Sequence, residues 1–250
     1  MRLKVSLVVI LSVFMSSCTP SENEPLIIGH RGAMGYETEN TLASIGKALE
    51  LGVDMIEVDV FQIQSGEIAV FHDERVDRLT NGGGRIEEYN YFDMKRLTLD
   101  GGHKIPILQD VLKLVDHRVP MNIELKGKGT AGNIHKIASF YSEKRGWKPD
   151  QFLISSFDWD ELRTYRKLDS TGRIAVLTEG DPLEALGVAV ELKAEAINPQ
   201  HTQLNAENVA MIHEAGFKVY TWTVNDPVEF QRLVSIGVDG VFSDFPDRMR

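Results

Sequence analysis

The chain has 250 residues, of which 42% are hydrophobic and 26% are charged. This is the composition of an ordinary globular protein, and it excludes a largely disordered chain. The formal net charge of −10 argues against general binding of nucleic acid. An anionic ligand would therefore need a local positive feature, either a metal ion or a group of Arg and Lys side chains. The length fits one large α/β domain or two small ones.

The N-terminus, residues 1–17, has the pattern of a secretory signal peptide. Arg2 and Lys4 precede an apolar stretch that is too short for a comfortable transmembrane helix, and small residues follow before Cys18. Cys18 is the only cysteine, so no intramolecular disulfide can form. The sequence MSSC resembles a bacterial lipobox, which implies cleavage before Cys18 and lipidation of that residue. A plain signal peptide with an incidental cysteine is the alternative.

Residues 18–25 are mostly polar and predict a short tether between the signal peptide and the folded part of the chain. With a lipidated Cys18, we expect an exported protein anchored to a bacterial membrane on its periplasmic or cell-surface side. The membrane would then be contacted through the N-terminal lipid anchor only.

From Leu26 onward, short apolar runs alternate with segments of helical periodicity. The first helical segment, NTLASIGKALELG, is predicted to be capped at Asn40 or Thr41 and to end at Gly52. The strand candidates are LIIGH, MIEVDVFQI, MNIELK, FLISSF, RIAVL, AINP, KVYTWTV and DGVFSD. This regular alternation predicts a parallel sheet with helical crossovers.

One further strand candidate interrupts the alternation. EIAVFHD, residues Glu67–Asp73, follows the second strand after only two residues, which leaves no room for a helix and predicts a two-residue hairpin loop. If Gln64 pairs with Glu67, Asp59 lies directly opposite His72. Directly opposed side chains lie about 5 Å apart on one face of a sheet, so this register would bring His72 to an acidic site.

The eight remaining strands, with helices between them, predict a TIM (β/α)8 barrel formed by residues 26–250. Residues 75–104, which are rich in glycine at NGGG, are a short insertion after the hairpin. An open doubly wound sheet is the alternative fold, but no segment reads as its G-x-G-x-x-G turn.

Polar side chains collect at the C-terminal ends of the predicted strands, where TIM barrels carry their chemistry. Because side chains alternate along a strand, Glu57 and Asp59 share a face, as do Glu124 and Lys126. Three carboxylates at one barrel mouth would repel one another unless a cation neutralised them. Oxygen ligands without a thiolate predict Mg²⁺ or Ca²⁺ rather than zinc, and surface salt bridges are the alternative interpretation.

The same mouth is predicted to hold His30 and His72, which have the chemistry of a general acid and a general base. Arg31 can grip phosphate oxygens with its planar guanidinium. Trp222 is either a platform for an apolar or glycerol face of a ligand or a core residue. Ser155, Ser156, Asn198 and Asp244 complete the ring of polar strand ends.

Taken together, HRG, ENT, EVDV, FHD, IELK, SSF, WTVN and GVDGVFSDFP resemble the glycerophosphodiester phosphodiesterase family from about Leu26 to Pro246. Each segment is short, but their order and spacing are specific. The family's fold is a TIM barrel with an insertion after the second strand. The chain departs from the family pattern at Thr38, where proline is usual, and at Ser243, where threonine is usual.

The resemblance implies metal-dependent hydrolysis of glycerophosphodiesters to sn-glycerol 3-phosphate and an alcohol. It implies that His30 and His72 are the acid–base pair, and that attack by the neighbouring glycerol hydroxyl forms a cyclic phosphate that water opens. Direct attack by water is the alternative. It further implies the binding groups: Glu57, Asp59 and Glu124 for a divalent cation, Mg²⁺ or Ca²⁺, and Arg31 and Lys126 for the phosphate.

Two other functions stay open at this point. A phospholipase C-like or D-like enzyme acting on intact lipid would need an apolar lip at the barrel mouth, for which Tyr89–Leu99 offers aromatic and apolar residues. A lipid-anchored binding module without catalysis is the other, although the complete set of histidines and carboxylates argues against it.

Overall fold

The computed structural model of the protein describes residues 24–250. The predicted signal peptide, Cys18 and most of the predicted tether lie outside the described residues. Within residues 24–250, no helix combines the length and the hydrophobicity that a membrane span requires.

Eight parallel strands close into a barrel. A ninth strand pairs antiparallel with the C-terminal part of one of them. The strands are β1 (Leu26–Gly29), β2 (Met55–Gln62), β3 (Ile68–Val70), β4 (Met121–Leu125), β5 (Phe152–Ser156), β6 (Arg173–Thr178), β7 (Ala196–Pro199), β8 (Lys218–Thr221) and β9 (Gly240–Ser243). β1 pairs with both β2 and β9, which closes the ring. The predicted TIM barrel is confirmed, and the open doubly wound alternative is wrong.

The helices of the described chain are α1 (Leu42–Glu50), α2 (Tyr91–Arg96), α3 (Leu108–Val115), α4 (Thr130–Lys144), α5 (Trp159–Leu168), α6 (Leu186–Leu192), α7 (Ala206–Glu214) and α8 (Pro227–Ser235). The first begins where the sequence predicts, because the Thr41 hydroxyl accepts from the Ser44 N–H and the Ser44 hydroxyl accepts from the Thr41 N–H. All of them except α2 connect consecutive barrel strands.

Two apolar layers stabilise the barrel, and polar groups occupy the C-terminal ends of its strands, which form its upper end. One layer lies between the strands and the helices and includes Ile56, Val58 and Ile123. The other is a smaller cluster that includes Met55 and Tyr220 on the opposite face of the strands. Since side chains alternate, Glu57 and Asp59 point to the same side of β2 as Met55 but lie nearer the C-terminal end of the strand. The apolar floor therefore supports a polar mouth.

The hairpin of β2 and β3 forms, but its predicted register is wrong by one residue. Val60 pairs with Val70, so the Phe71 N–H donates to the Asp59 carbonyl at 3.0 Å and Phe71, not His72, lies opposite Asp59. The cause is a loop of three residues rather than two, in which Gly66 adopts a φ of +97°. His72 follows the end of β3 and still turns toward the barrel mouth.

Residues 75–104 form an excursion with its own small core. Val76, Ile86 and Met94 are fully buried and belong to a cluster with Phe61 and Phe71 of the hairpin. Burial of each such side chain stabilises a fold by about 1.5–3 kcal/mol. This core fixes the excursion against the hairpin, beside the barrel mouth.

Candidate active site

A cavity of about 290 Å³ opens at the C-terminal ends of the barrel strands. Its lining includes these residues predicted from the sequence: His30, Arg31, Glu57, His72, Glu124, Lys126 and Trp222. Asp59 is 1% exposed and lies against this lining, in contact with Arg31. The structure thus brings together every predicted site residue that it describes.

The three predicted carboxylates converge because β2 and β4 are neighbours in the barrel. The parallel register places Asp59 beside Glu124, and oxygen atoms of Glu57, Asp59 and Glu124 lie within 4.8 Å of one another. Burial, with the charges of Asp59 and Glu124 added to it, raises the pKa of Glu57 well above its usual value. Burial and the charge of Asp59 raise the pKa of Glu124 to about 7. Both carboxyl groups are therefore harder to ionise than in water, because burial and the neighbouring negative charges outweigh the effect of Arg31 and Lys126.

The donor set of this cluster fits a hard divalent cation. Glu57 is 2% exposed, and its Oε1 atom has no hydrogen-bond partner among the described residues, while its Oε2 accepts from the Arg31 N–H at 2.7 Å. Three carboxylate oxygens without sulfur are the ligands that Mg²⁺ and Ca²⁺ prefer. A cation at this position would satisfy an oxygen that is otherwise costly to bury.

Asn40 holds Asp59 in place, a role that the sequence did not assign to it. The Asn40 Nδ2 donates to Asp59 Oδ2 at 2.9 Å, and the Asp59 N–H donates back to Asn40 Oδ1 at 3.2 Å. Asn40 has a φ of +57°, a conformation that Asn adopts more readily than most residues. The only signal in the sequence is the ENT segment itself.

The turn after β1 aims Arg31 into the cavity. Arg31 has a φ of +50°, and its carbonyl accepts from the Ser44 hydroxyl at 2.8 Å. A Cβ atom at Gly32 would lie 2.5 Å from the Ser44 carbonyl carbon, so only glycine fits after Arg31. The Arg31 side chain contacts Glu39 at 2.7 Å and Asp59 at 3.3 Å. Within the HRG segment, close packing therefore requires the glycine, and the surrounding carboxylates favour the arginine.

Lys126 supplies the second positive charge. Its Nζ lies 3.0 Å from Glu124 Oε1 and 3.3 Å from His72 Nε2. Arg31 and Lys126 therefore flank the carboxylate cluster, and an anion in the cavity would lie within reach of both cations.

His72 is held by a chain of charged residues. Its Nδ1 lies 2.7 Å from Asp73 Oδ1, and Arg78 bridges Asp73 to Glu39 with contacts of 2.6 and 2.8 Å. Since an ionised carboxylate can only accept, the His72 Nδ1 carries the proton, and Nε2 is left to accept from the Lys126 ammonium or from a ligand. Burial lowers the pKa of His72 below its usual value, and the charges of Arg31 and Lys126 add to this effect.

His30 has an equivalent partner on the other side of the cavity. Its Nδ1 lies 2.6 Å from Asp244 Oδ1, and Asn225 Nδ2 donates to Asp244 Oδ2 at 2.7 Å. Although burial opposes ionisation, the hydrogen bonds from His30 and Asn225 leave the pKa of Asp244 below its usual value. Both imidazoles therefore use Nδ1 for a carboxylate of the protein.

The far side of the cavity is aromatic. Trp222 is half-buried, its Nε1 donates to the Asn198 carbonyl at 2.9 Å, and its ring meets that of Phe157 edge to face at 5.5 Å. Glu179 also lines the cavity. Sequence reasoning assigned no role to Phe157, which is the last residue of the SSF segment, or to Glu179, whose only signal is that it directly follows a barrel strand.

Comparison with known proteins places this site in a family. The family model described as the glycerophosphoryl diester phosphodiesterase family matches residues 30–248. A glycerophosphodiester phosphodiesterase of Bacillus subtilis strain 168 is 32% identical over 251 residues, covering 91% of this chain and 86% of the relative. A glycerophosphodiester phosphodiesterase of Caldanaerobacter subterraneus subsp. tengcongensis is 31% identical, covering 90% of this chain and 96% of the relative.

A solved structure agrees with these relatives. The phosphodiesterase of Oleispira antarctica, in complex with the product sn-glycerol-3-phosphate, superposes with a TM-score of 0.83 at 27% identity and covers 90% of this chain and 95% of its own. The resemblance inferred from the motifs is therefore confirmed. This chain belongs to the glycerophosphoryl diester phosphodiesterase family and is a phosphoric diester hydrolase.

Proposed function

We propose that the protein hydrolyses glycerophosphodiesters to sn-glycerol 3-phosphate and an alcohol, using a divalent cation and acid–base catalysis by His30 and His72. The observation that carries the proposal is the convergence of these two imidazoles with three carboxylates, two of them buried and one half-buried, at one barrel mouth. These groups come from separate segments between residues 30 and 124, so no local structural need explains their meeting.

Glu57, Asp59 and Glu124 are the residues that would hold the cation, which we propose to be Mg²⁺ or Ca²⁺. When bound, such an ion neutralises negative charge on the phosphate and on its transition state. Arg31 and Lys126 flank the cluster and bind the nonbridging oxygens of the phosphodiester.

The two histidines move the protons. His30 accepts the proton of the glycerol hydroxyl that lies next to the ester oxygen, and this hydroxyl attacks phosphorus. His72 donates a proton to the departing alcohol, and water then opens the cyclic phosphate with the proton transfers reversed. The lowered pKa of His72 favours the neutral ring in the free protein, whereas a bound phosphodiester would favour its protonation. The order of acid and base stays a prediction, and direct attack by water uses the same two groups.

Asp73 and Asp244 orient the two imidazoles. Each accepts a hydrogen bond from Nδ1, which fixes the tautomer and stabilises the imidazolium that forms during proton transfer. The Arg78 bridge to Glu39 in turn keeps Asp73 ionised, and the Arg78 hydrogen bonds are the largest cause that lowers the pKa of Asp73 to about 2.

The first test is turnover of glycerophosphocholine by the purified protein with added Mg²⁺ or Ca²⁺. We expect release of sn-glycerol 3-phosphate, and we expect this turnover to be lost in excess EDTA. In His72→Ala, kcat should fall by about 10²–10⁴-fold. A matched control is His117→Ala, because His117 lies near the start of β4 at the other end of the barrel. Wild-type turnover in His72→Ala, or in EDTA, would contradict the respective part of the proposal.

Hydrolysis of intact lipid is the second candidate function. Phe92 in α2 is 77% exposed and its ring contacts Tyr91, which offers an apolar tip on the excursion, next to the hairpin loop at Ser65. Phospholipid vesicles assayed beside glycerophosphocholine distinguish the two functions. Turnover of the vesicles at a comparable rate would favour the lipid enzyme.

We also propose that lipidation of Cys18 holds the exported protein at a bacterial membrane. The support is the sequence alone, namely the apolar stretch, the small residues and the single cysteine. We expect the full chain to incorporate a labelled fatty acid in bacterial cells and Cys18→Ala to lose this label. Equal labelling of the variant would contradict the anchor.

A further inference from the structure

The described chain enters the barrel at its lower end, which is formed by the N-terminal ends of the strands. β1 begins at Leu26, whose N–H donates to the Asp239 carbonyl at 2.8 Å just before β9 begins. The Ile27 N–H donates to Asp54 Oδ2 at 2.8 Å just before β2 begins. These hydrogen bonds hold the first residues of the fold at the end of the barrel that lies opposite the mouth.

The chain between Cys18 and this point is too short to pass around the barrel. An extended chain spans at most about 3.6 Å per residue, so the segment from Cys18 to Glu24 reaches no more than about 22 Å whatever its conformation. A compact body of the size of residues 24–250 has a radius of gyration of about 17 Å and is therefore about 45 Å across. A lipid on Cys18 could enter a membrane beside the lower end, but the mouth could not then face that membrane.

The lower end also differs from the rest of the protein in its charge. Its surface is formed by the loops that lead from each helix to the next strand, with the first residue of that strand. The exposed cations of this surface are Arg118, Arg145, Lys148, Lys193 and Lys218, and its exposed acids are Asp54, Asp116 and Asp150. No carboxylate of residues 24–250 lies within ion-pair distance of Arg145, Lys148 or Lys193. Exposed cations thus outnumber exposed acids here, although the net charge of the chain is −10.

The upper end has the opposite charge pattern. Glu37, Asp181 and Glu184 are exposed on its loops, and Glu179 lines the cavity. Three exposed arginines of the excursion each pair with a carboxylate, namely Arg75, Arg85 and Arg96. Anionic lipid headgroups repel carboxylates and attract Lys and Arg, so an anionic membrane favours contact with the lower end over contact with the mouth. The length of the tether and the distribution of charge independently indicate the same orientation.

Resting on the proposed lipidation of Cys18, we propose that the lower end of the barrel docks on the anionic phospholipid headgroups of the membrane that holds the anchor. Arg145, Lys148 and Lys193 contact the headgroup phosphates, and the mouth opens away from this membrane. The substrate is then a water-soluble glycerophosphodiester that arrives from the aqueous side, because lipid of the same bilayer cannot enter the cavity. This orientation favours the first of the two candidate functions over hydrolysis of intact lipid.

The test uses the full chain, lipidated in bacterial cells and inserted into vesicles of phosphatidylcholine and phosphatidylglycerol. A fluorescent label is attached in Ser170→Cys at the lower end or in Gly180→Cys at the upper end, while the acylated thiol of Cys18 does not react. Both positions are exposed, and a side chain at Gly180 would meet no atom within 4 Å. We expect a nitroxide carried on the lipid headgroups to quench the Ser170 label and to leave the Gly180 label unquenched.

The contribution of charge is tested with a triple variant, Arg145→Gln, Lys148→Gln and Lys193→Gln. Each basic side chain near an anionic surface strengthens binding by about fivefold, so the variant should lower the ratio of docked to undocked protein by about 100-fold. Quenching of the Ser170 label should fall with this ratio. Salt at about 1 M should reduce quenching in the wild type as well, because charges are then screened beyond about 3 Å.

The matched control removes the same charge from the upper end in Arg75→Gln, Arg85→Gln and Arg96→Gln. It should keep the wild-type quenching of the Ser170 label, and an unchanged melting temperature shows that each variant is folded. Equal quenching of the Ser170 and Gly180 labels, or wild-type quenching in the lower triple variant, would overturn the docking surface while the anchor stands. A protein that does not float with the vesicles would overturn the anchor and the docking surface together.

The same vesicles separate the docking surface from the proposed hydrolysis. The anchored protein, loaded with its divalent cation, should turn over glycerophosphocholine in solution and leave the phospholipid of its own vesicle intact. Turnover of that phospholipid would overturn the proposed orientation. No turnover of glycerophosphocholine, with quenching confined to the Ser170 label, would overturn the hydrolysis and support the docking surface.

Discussion

Two half-buried glutamates lie at opposite ends of the same barrel, and their surroundings shift their pKa values in opposite directions. At the N-terminal end, Glu195 accepts hydrogen bonds from Arg173 at 2.7 Å and from the Tyr220 hydroxyl at 3.1 Å. Burial opposes its ionisation, but the Arg173 contacts outweigh this and hold its pKa at about 2. At the C-terminal end, burial and Asp59 raise the pKa of Glu124 to about 7.

The difference lies in the number of positive partners per carboxylate. Lys218 adds a second cation to Glu195 at 3.3 Å, so one carboxylate there has two basic neighbours. At the mouth, Arg31 and Lys126 face the three carboxylates that converge there, and Arg31 is shared with Glu39 as well. The carboxylate at the lower end is therefore fully paired by basic side chains, whereas the three carboxylates at the upper end share two cations, an arrangement compatible with a bound divalent cation. Crowded carboxylates at the mouth destabilise the folded protein, and groups of this kind are typical of binding sites.

Removal of one carboxylate at the mouth should give the largest effect and tests most directly whether the two ends of the barrel differ in function. We expect Glu124→Gln to lower kcat/KM for glycerophosphocholine by more than about 100-fold, since loss of even an outer partner of a metal ligand costs 10–100-fold. In EDTA the variant should unfold at the same urea concentration as the wild type or at a higher one, because the raised pKa of Glu124 means that its ionised form opposes folding near pH 7.

The metal response supplies the control for Glu124→Gln. Binding to the folded state alone stabilises a protein in proportion to the logarithm of the ligand concentration, so Mg²⁺ or Ca²⁺ should raise the wild-type melting temperature. The variant should show little of this rise. An equal rise in both proteins, or wild-type turnover in the variant, would show that Glu124 does not serve a cation.

The fold and part of the site could be predicted from the sequence. Strand alternation was sufficient to predict the barrel. The E-x-D and E-x-K spacings are weak alone, but their position at the C-terminal ends of predicted strands placed Glu57, Asp59 and Glu124 at its mouth. Both depend on short-range periodicity, which is written directly in the chain. The hairpin register was missed by one residue because a loop of two and a loop of three residues, both with glycine, fit the same segment.

Partners contributed by distant segments could not be predicted. Asp244 reaches His30 across 214 positions of sequence, and Arg78 joins Asp73 to Glu39 from within the excursion. These contacts depend on the closure of the barrel and on how the excursion packs. The place of Glu179 in the cavity, and that of Phe157 beyond its membership of the SSF segment, could not be predicted for a related reason, since exposure at a cavity rim leaves no periodic signal.

The smaller prediction concerns the lower end, where charge pairing contributes stability and not activity. Glu195→Gln should lower the free energy of unfolding at pH 7 by about 2 kcal/mol, somewhat less than the full effect of its pKa shift because the amide keeps some hydrogen bonds. Its kcat/KM should match that of the wild type, because Glu195 precedes β7 and lies away from the cavity. Glu191→Gln is the matched control, since Glu191 forms a similar pair with Arg163 but is 50% exposed, and its loss should matter less.

The pH dependence of Glu195→Gln identifies the origin of the loss. Because the folded-state pKa of Glu195 is lowered to about 2, its contribution is complete above the unfolded-state pKa of about 4.3 and disappears as the pH falls through the folded-state value. Urea unfolding at pH 7, 5 and 3.5 should therefore show a constant gap between wild type and variant from pH 7 to 5 and a narrower gap at pH 3.5. A gap of the same size at all three pH values would instead assign the loss to packing around Tyr220, and the lower end would then owe its stability to shape rather than to charge.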